Sequence, residues 1–366
     1  VTDFLIDVVQ VLVGILLLFF GGELFVQGSV AIALILGVPQ LVIGLTVVSL
    51  GTSAPELFVS LGSIAKGSAD LATSNVVGSN IFNVMVVLGC SAAILPLKVE
   101  SRLVRRDVPI LIAVSMAVWG MASAGVVTWQ AGLALVTALV INTIWEVRTA
   151  REDPEGSGEA EPEVSEEAAS GGWAPAALRL AGGMALLVIG SRILVIGASG
   201  AALTLGVSET VIGLTIVSAG TSMPELVASV VAALRGATDL AIGNVIGSNL
   251  LNQLLILGSC GLVSGGAGLQ VDPVLINRDM PVMLLATFAC LPIFWTRGRI
   301  SRLEGGVLLT LYVLYLCDQV LPHTLPTWRD EFRLVVLCLV LPAVLVLILV
   351  QAIIYWQQRR RKREQA

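Results

Sequence analysis

Gly51–Thr52–Ser53–Ala54–Pro55–Glu56–Leu57 recurs as Gly220–Thr221–Ser222–Met223–Pro224–Glu225–Leu226. Upstream, Val42–Ile43–Gly44–Leu45–Thr46 returns as Val211–Ile212–Gly213–Leu214–Thr215. Gly78–Ser79–Asn80 with Asn83 returns as Gly247–Ser248–Asn249 with Asn252. Each pair lies 169 residues apart, so neither copy carries an insertion between its two motifs. The chain is an internal duplication.

The duplicated unit is apolar. Of 366 residues, 56% are hydrophobic and 13% charged, against about 25% charged in soluble domains. Runs such as Val8–Phe20, Val108–Met121 and Leu334–Ile354 approach or exceed the roughly 20 residues that cross a bilayer, and backbone groups in lipid must pair within helices. The pattern predicts helices near 5–27, 39–65, 70–93, 108–125, 129–148, 175–198, 208–234, 239–263, 279–296, 304–321 and 334–357. The first is read as a retained helix, since no cleavage-site pattern follows it. Five helices per copy is an odd number, so the second copy enters the membrane from the opposite side. The expected fold is an all-α polytopic membrane protein of two inverted five-helix repeats plus one extra C-terminal transmembrane helix. Residues 1–150 form the first repeat, 151–173 an acidic cytoplasmic linker, 174–322 the second repeat, and 323–366 the extra helix with a basic tail.

Lys and Arg mark the cytoplasmic side. With the N-terminus outside, the inner side gathers Lys98, Arg102, Arg105, Arg106, Arg148, Arg151, Arg179, Arg235, Arg297, Arg299, Arg302 and the run Arg359–Arg363. The outer side receives Lys66, Arg278, Arg329 and Arg333. The C-terminus is then cytoplasmic. The linker, with Glu152, Asp153, Glu155, Glu159, Glu161, Glu163, Glu166 and Glu167, has too little apolar surface to fold alone. Cys90, Cys260, Cys290, Cys317 and Cys338 lack metal-ligand spacing and read as packing residues. His323 reads as an exposed loop residue.

Ser49, Thr52, Ser53, Glu56 and Ser60 recur at helical spacing and share one face, as do Asn75, Ser79 and Asn83. The second copy supplies Ser218, Thr221, Ser222, Glu225 and Ser229, with Asn244, Ser248 and Asn252. A charge at the bilayer centre costs roughly 3 kcal/mol, so two glutamates without a neighbouring Lys or Arg require a partner. A divalent cation matches them in charge, and hydroxyl and amide oxygens complete the hard-oxygen shell that Ca2+ prefers. Pro55 and Pro224 deprive the carbonyls of Gly51 and Gly220 of their donors, which frees ligand oxygens. Interhelical hydrogen bonding competes as the role of each hydroxyl and of the asparagines. Asp70 and Asp239 are expected to cap helices. Glu23 and Arg192, at matching positions with opposite charge, are a candidate ion pair.

The doubled Gly-Thr-Ser-x-Pro-Glu and Gly-Ser-Asn-x-x-Asn motifs resemble the α-repeats of the Ca2+/cation antiporter superfamily, with the nearest likeness to prokaryotic sodium/calcium exchangers, over roughly residues 5–321. The resemblance implies a ten-helix inverted repeat in which the first and sixth helices slide. Glu56 and Glu225 would be the central carboxylates. Thr52, Ser53, Ser79, Thr221, Ser222 and Ser248, with the backbone of Ser49 and Ser218, would add oxygens. Asn83 and Asn252 stand where relatives carry Asn or Asp, which argues against K+ dependence.

The expected function is exchange of Ca2+ for Na+ by alternating access at a midplane carboxylate site. The ions act as substrates, and no cofactor is called for. A Ca2+/H+ antiporter using the same glutamates is the nearest rival, and a passive cation channel a further one. No Ser–base or paired-Asp arrangement suggests an enzyme. Expected partners are Ca2+, Na+ and lipid, without nucleic acid, in a prokaryotic plasma membrane.

Overall fold

An apolar chain closes its backbone hydrogen bonds in helices, and this one does so almost throughout. A computed structural model describes residues 2–152, 172–295 and 298–340, with 342 and 346. The first half runs as α1 (Thr2–Leu36), α2 (Gln40–Thr52), α3 (Ala54–Ala65), α4 (Ala69–Ile94), α5 (103–122) and α6 (Trp129–Glu152). The second comprises α7 (Trp173–Thr204), α8 (209–220), α9 (Met223–Leu234), α10 (Thr238–Val263), α11 (Leu275–Trp295) and α12 (Arg302–Thr324), followed by α13 (329–340). Seven described helices are long and apolar enough to cross a bilayer, and eight if α2 and α3, bent by 43°, count as one span. The expected acidic linker beyond Glu152, the rest of the extra helix and the basic tail lie outside the described residues.

The halves lock together reciprocally. β1 (Leu97–Lys98) pairs antiparallel with β4 (Arg299–Ile300), and β2 (Val126–Val127) with β3 (Leu269–Gln270), so each ribbon takes one strand from each half. Asn80 Nδ2 donates to the Asn249 carbonyl, and Asn249 Nδ2 to the Asn80 carbonyl, both at 3.4 Å. Such exchanged contacts are the mark of a pseudo-two-fold axis. α10 lies at the centre, with 94% of its apolar window buried against 17% for α1.

α1 and α7 pack along glycines spaced by seven: Gly14, Gly21 and Gly28 on one, Gly183, Gly190 and Gly197 on the other. A Cβ on Gly183 would stand 2.4 Å from the Phe25 nitrogen, and one on Gly28 2.5 Å from the Leu180 nitrogen. Small residues let two backbones touch in lipid, where no hydrophobic drive brings helices together.

The symmetry is broken in one respect. α10 closes on α2, where a Cβ on Gly243 would stand 2.7 Å from the Leu41 carbonyl and one on Gly44 2.8 Å from the Leu240 carbonyl. Across the axis, α4 and α8 have parted. Nothing among the described residues comes within 4 Å of a Cβ on Gly213, and Ser74, which matches Gly243, is exposed.

Two expectations are corrected. Glu23 pairs with Arg235, at 2.7 Å, and not with Arg192, because Arg235 ends α9 directly beside α1. Asp70 and Asp239 lie inside the first turns of α4 and α10. The cap positions fall to Ser68 and Ala237, without a side-chain bond, so neither aspartate caps its helix. His323 is exposed as expected, though in the last turn of α12 and not in a loop.

Candidate functional site

The bend between α2 and α3 falls at Ser53 (φ −82°, ψ 1°), and that between α8 and α9 at Ser222 (φ −91°, ψ 9°). Pro55 and Pro224 follow in the first turn of the next helix, where a missing N–H costs nothing. The Gly220 carbonyl, four residues before Pro224, accepts the Ser191 hydroxyl, so on that side the freed oxygen is already engaged.

Each bend points its hydroxyl across the axis. Ser53 Oγ donates to Glu225 Oε1 at 3.2 Å, and Ser222 Oγ to Glu56 Oε1 at 3.1 Å. Behind each glutamate an asparagine steadies the helix. Asn75 Nδ2 donates to the Glu56 carbonyl and to Ser60 Oγ, while Asn244 Nδ2 serves the Glu225 carbonyl and Ser229 Oγ. Thr221 lies beside Glu56, and Thr52 beside Glu225. Both glutamates are 1% exposed, and among the described residues none of the ion pairs includes either.

The structure therefore brings Glu56, Glu225, Thr52, Ser53, Thr221 and Ser222 together. Ser79, Asn83, Ser248 and Asn252 are buried on α4 and α10 alongside. Several of these polar atoms have no hydrogen-bond partner: Glu56 Oε2, Glu225 Oε2, Ser79 Oγ, both amide atoms of Asn83, and Asn252 Oδ1. Orphaned oxygens at a protein's centre are costly unless a ligand satisfies them. Two carboxylates among neutral oxygens fit a hard cation, and among the described residues no set of three or more His, Cys, Asp or Glu offers a richer metal site.

Equivalent residues differ where the two sides differ. Thr52 Oγ1 bonds Asn244 Oδ1 at 3.0 Å, and Ser248 Oγ reaches the same oxygen at 3.4 Å, so these three groups on the closed side satisfy one another. Ser49 is buried, whereas Ser218 is exposed at the parted α4–α8 face. The Ser49 carbonyl accepts the Ser53 N–H at 2.9 Å. Two polar residues escaped the repeat-based reading. Gln253, wholly buried, donates to Ser115 Oγ at 3.0 Å, and Ser191 holds Gly220. Their counterparts are Val84 and Gly22, so a search for matching pairs passes over both.

Known proteins are similar to this chain over most of its length. The sodium/calcium exchanger protein family matches residues 6–147 and 175–321. The protein CaxA of Alkalimonas amylolytica is 37% identical over 321 residues, covering 85% of this chain and 98% of that one. The sodium/calcium exchanger MaX1 of Methanosarcina acetivorans is 32% identical, covering 83% and 96%. A solved structure of the sodium-calcium exchanger NCX_Mj, soaked with Na+ and Sr2+, superposes with a TM-score of 0.71 at 30% identity, over 85% of this chain and 98% of that one. The matched segments include both glutamates and reach into every helix from α1 to α12, and this chain belongs to the sodium/calcium exchanger family of membrane antiporters.

Proposed function

We propose that the chain exchanges Ca2+ for Na+ at a single site near the bilayer midplane, built on Glu56 and Glu225. Thr52, Ser53, Ser79, Asn83, Thr221, Ser222, Ser248 and Asn252 complete the shell, with the Ser49 and Ser218 backbones at its edges. The observation that carries this reading is the pair of buried glutamates, each held across the axis by the other repeat's serine and each left with a free carboxylate oxygen. A bound cation neutralises them. The empty, doubly charged site is unfavourable in a low-dielectric interior and resists reorganisation, so ion exchange and conformational exchange are coupled without a separate gate.

The Lys and Arg distribution supports an outside N-terminus, a cytoplasmic C-terminus and a plasma-membrane location. Residues 1–150 and 174–322 would act as the two inverted repeats, joined by 151–173, with 323–366 as an accessory helix and tail at the anionic leaflet.

The test is Ca2+ uptake into proteoliposomes with Na+, K+ and H+ gradients imposed separately. Uptake driven by Na+ alone, and abolished by Glu56→Gln or Glu225→Gln, is the expected result. Uptake driven by the pH gradient makes the chain a Ca2+/H+ antiporter, and near-normal flux in both variants removes the glutamates from the mechanism.

A further inference from the structure

The packing of α1 and α7 is lopsided across the pseudo-two-fold axis. α1 lies on α9: a Cβ on Gly22 would stand 2.8 Å from Val227 and 3.0 Å from Val231. One residue on, Glu23 Oε2 accepts from Arg235 Nη2 at 2.7 Å and from its Nε at 3.1 Å. The mirror face, where α7 would lie on α3, is uncovered among the described residues. Phe58, which matches Val227, is 72% exposed. Nothing among the described residues comes within 4 Å of a Cβ on Gly62, which matches Val231. By the same 169-residue correspondence Glu23 matches Arg192, and Arg235 matches Lys66. Arg192 and Lys66 are both exposed.

α1 and α7 grip each other backbone to backbone through their glycines, so they move as one body. A carrier built from inverted repeats reaches its second state when the two repeats exchange arrangements, a step that rests on the exchange reading above. Exchange transfers the α1–α7 pair from α9 to α3, where α7 covers Phe58 and Gly62. It breaks the Glu23–Arg235 contact and brings Arg192 up to Lys66. One arrangement then holds an attractive pair, the other two like charges.

We infer that Glu23–Arg235 is a charge latch favouring the arrangement in which α10 is closed on α2, and that the Arg192–Lys66 pair penalises the exchanged arrangement. The groups are partly exposed, so the bias is modest: losing the attraction shifts the populations about threefold. Turning the mirror repulsion into attraction shifts them further.

Two cysteine reporters read the equilibrium, each in the full chain with its native cysteines replaced. Ser74→Cys sits on the parted side, exposed now and buried after exchange, as its match Gly243 is today. Val48→Cys is the converse: Val48 is 2% exposed and its match Val217 48%. Modification by a small hydrophilic thiol reagent is timed in Na+ and in Ca2+. Lys66→Glu should slow the Ser74→Cys reporter and speed the Val48→Cys reporter by more than about threefold. Glu23→Gln should do the same more weakly. The reversal Glu23→Arg with Arg235→Glu, which keeps the pair, should return both rates to the parent values and also guards against a folding defect. Rates that differ between Na+ and Ca2+ in the parent but ignore every charge change overturn the latch and leave the exchange reading standing. Rates fixed under both ions and in all variants overturn both.

Discussion

Ser222, on the second repeat, donates its hydroxyl to Glu56 of the first, and Ser53 returns the contact to Glu225. Each serine stands three residues before its own repeat's glutamate yet serves the other's. The carboxylates are therefore oriented only when the repeats meet, which ties the geometry of the site to the packing of the whole. A hydrogen bond to a charged group contributes about 1.5–3 kcal/mol. Ser53→Ala and Ser222→Ala should each weaken half-saturation by Ca2+ about tenfold or more while Na+-driven uptake survives at high Ca2+. Unchanged half-saturation in both variants would show that the hydroxyls do not set the carboxylates.

Glu146 on α6 takes both Arg102 and Arg106, and its side chain is 3% exposed. Asp107 stands 3.9 Å from Arg106. Neutralising one partner of a buried pair leaves uncompensated charge, at about 3–5 kcal/mol. Asp318 of α12, by contrast, binds Arg333 of α13 at a wetter position, 18% and 35% exposed. Glu146→Gln should lower the thermal unfolding temperature in detergent clearly more than Asp318→Asn. Equal losses would mean that burial does not govern these clusters.

Much of this was legible because duplication makes sequence comment on itself. Glu56 and Glu225 announce one another, and Asn80 with Asn249 and Asn75 with Asn244 follow by register. What the motif could not show is where the repeats differ. The closed α2–α10 face and the parted α4–α8 face carry similar residues, and differences such as Ser74 opposite Gly243 or Leu41 opposite Thr210 do not by themselves say which face closes. Charge matching by register misassigned Glu23 to Arg192. Register relates symmetry mates, whereas an ion pair needs neighbours, and the neighbour is Arg235. The seven-residue glycine spacing of α1 and α7 was present in the sequence, but its meaning depends on which two helices face each other.

Outside the membrane-spanning segments, Glu100 is half-buried beside Asp239, and burial first, then the Asp239 carboxylate, pushes its carboxyl from the ordinary 4.5 up to about 7. The folded chain thus keeps a proton that the unfolded chain has released between about pH 4.5 and 7. This group's contribution to stability falls as pH rises through that window and is level above it. Glu100→Gln should flatten the decline in unfolding temperature across that interval and leave values above pH 8 nearly parallel to the parent. An unchanged slope would assign the proton elsewhere.

Asn83 and Asn252 occupy matching positions but not matching circumstances. Asn83 is fully buried with neither amide atom bonded, whereas Asn252 Nδ2 donates to Asn80 Oδ1 at 3.0 Å. Asn80 cannot turn its amide to compensate without giving up its bond to the Asn249 carbonyl. A carboxylate at position 83 therefore adds a third negative ligand without breaking a contact, and divalent affinity rises with ligand charge. At position 252 it sets oxygen against oxygen and leaves Asn80 unsatisfied, a cost of about 1–3 kcal/mol. Asn83→Asp should tighten Ca2+ binding about tenfold, measured on purified protein, and slow turnover because release becomes harder. Asn252→Asp should lower both stability and flux. Equal behaviour of the two variants would mean that the amide network around Asn80 does not distinguish the two halves of the site.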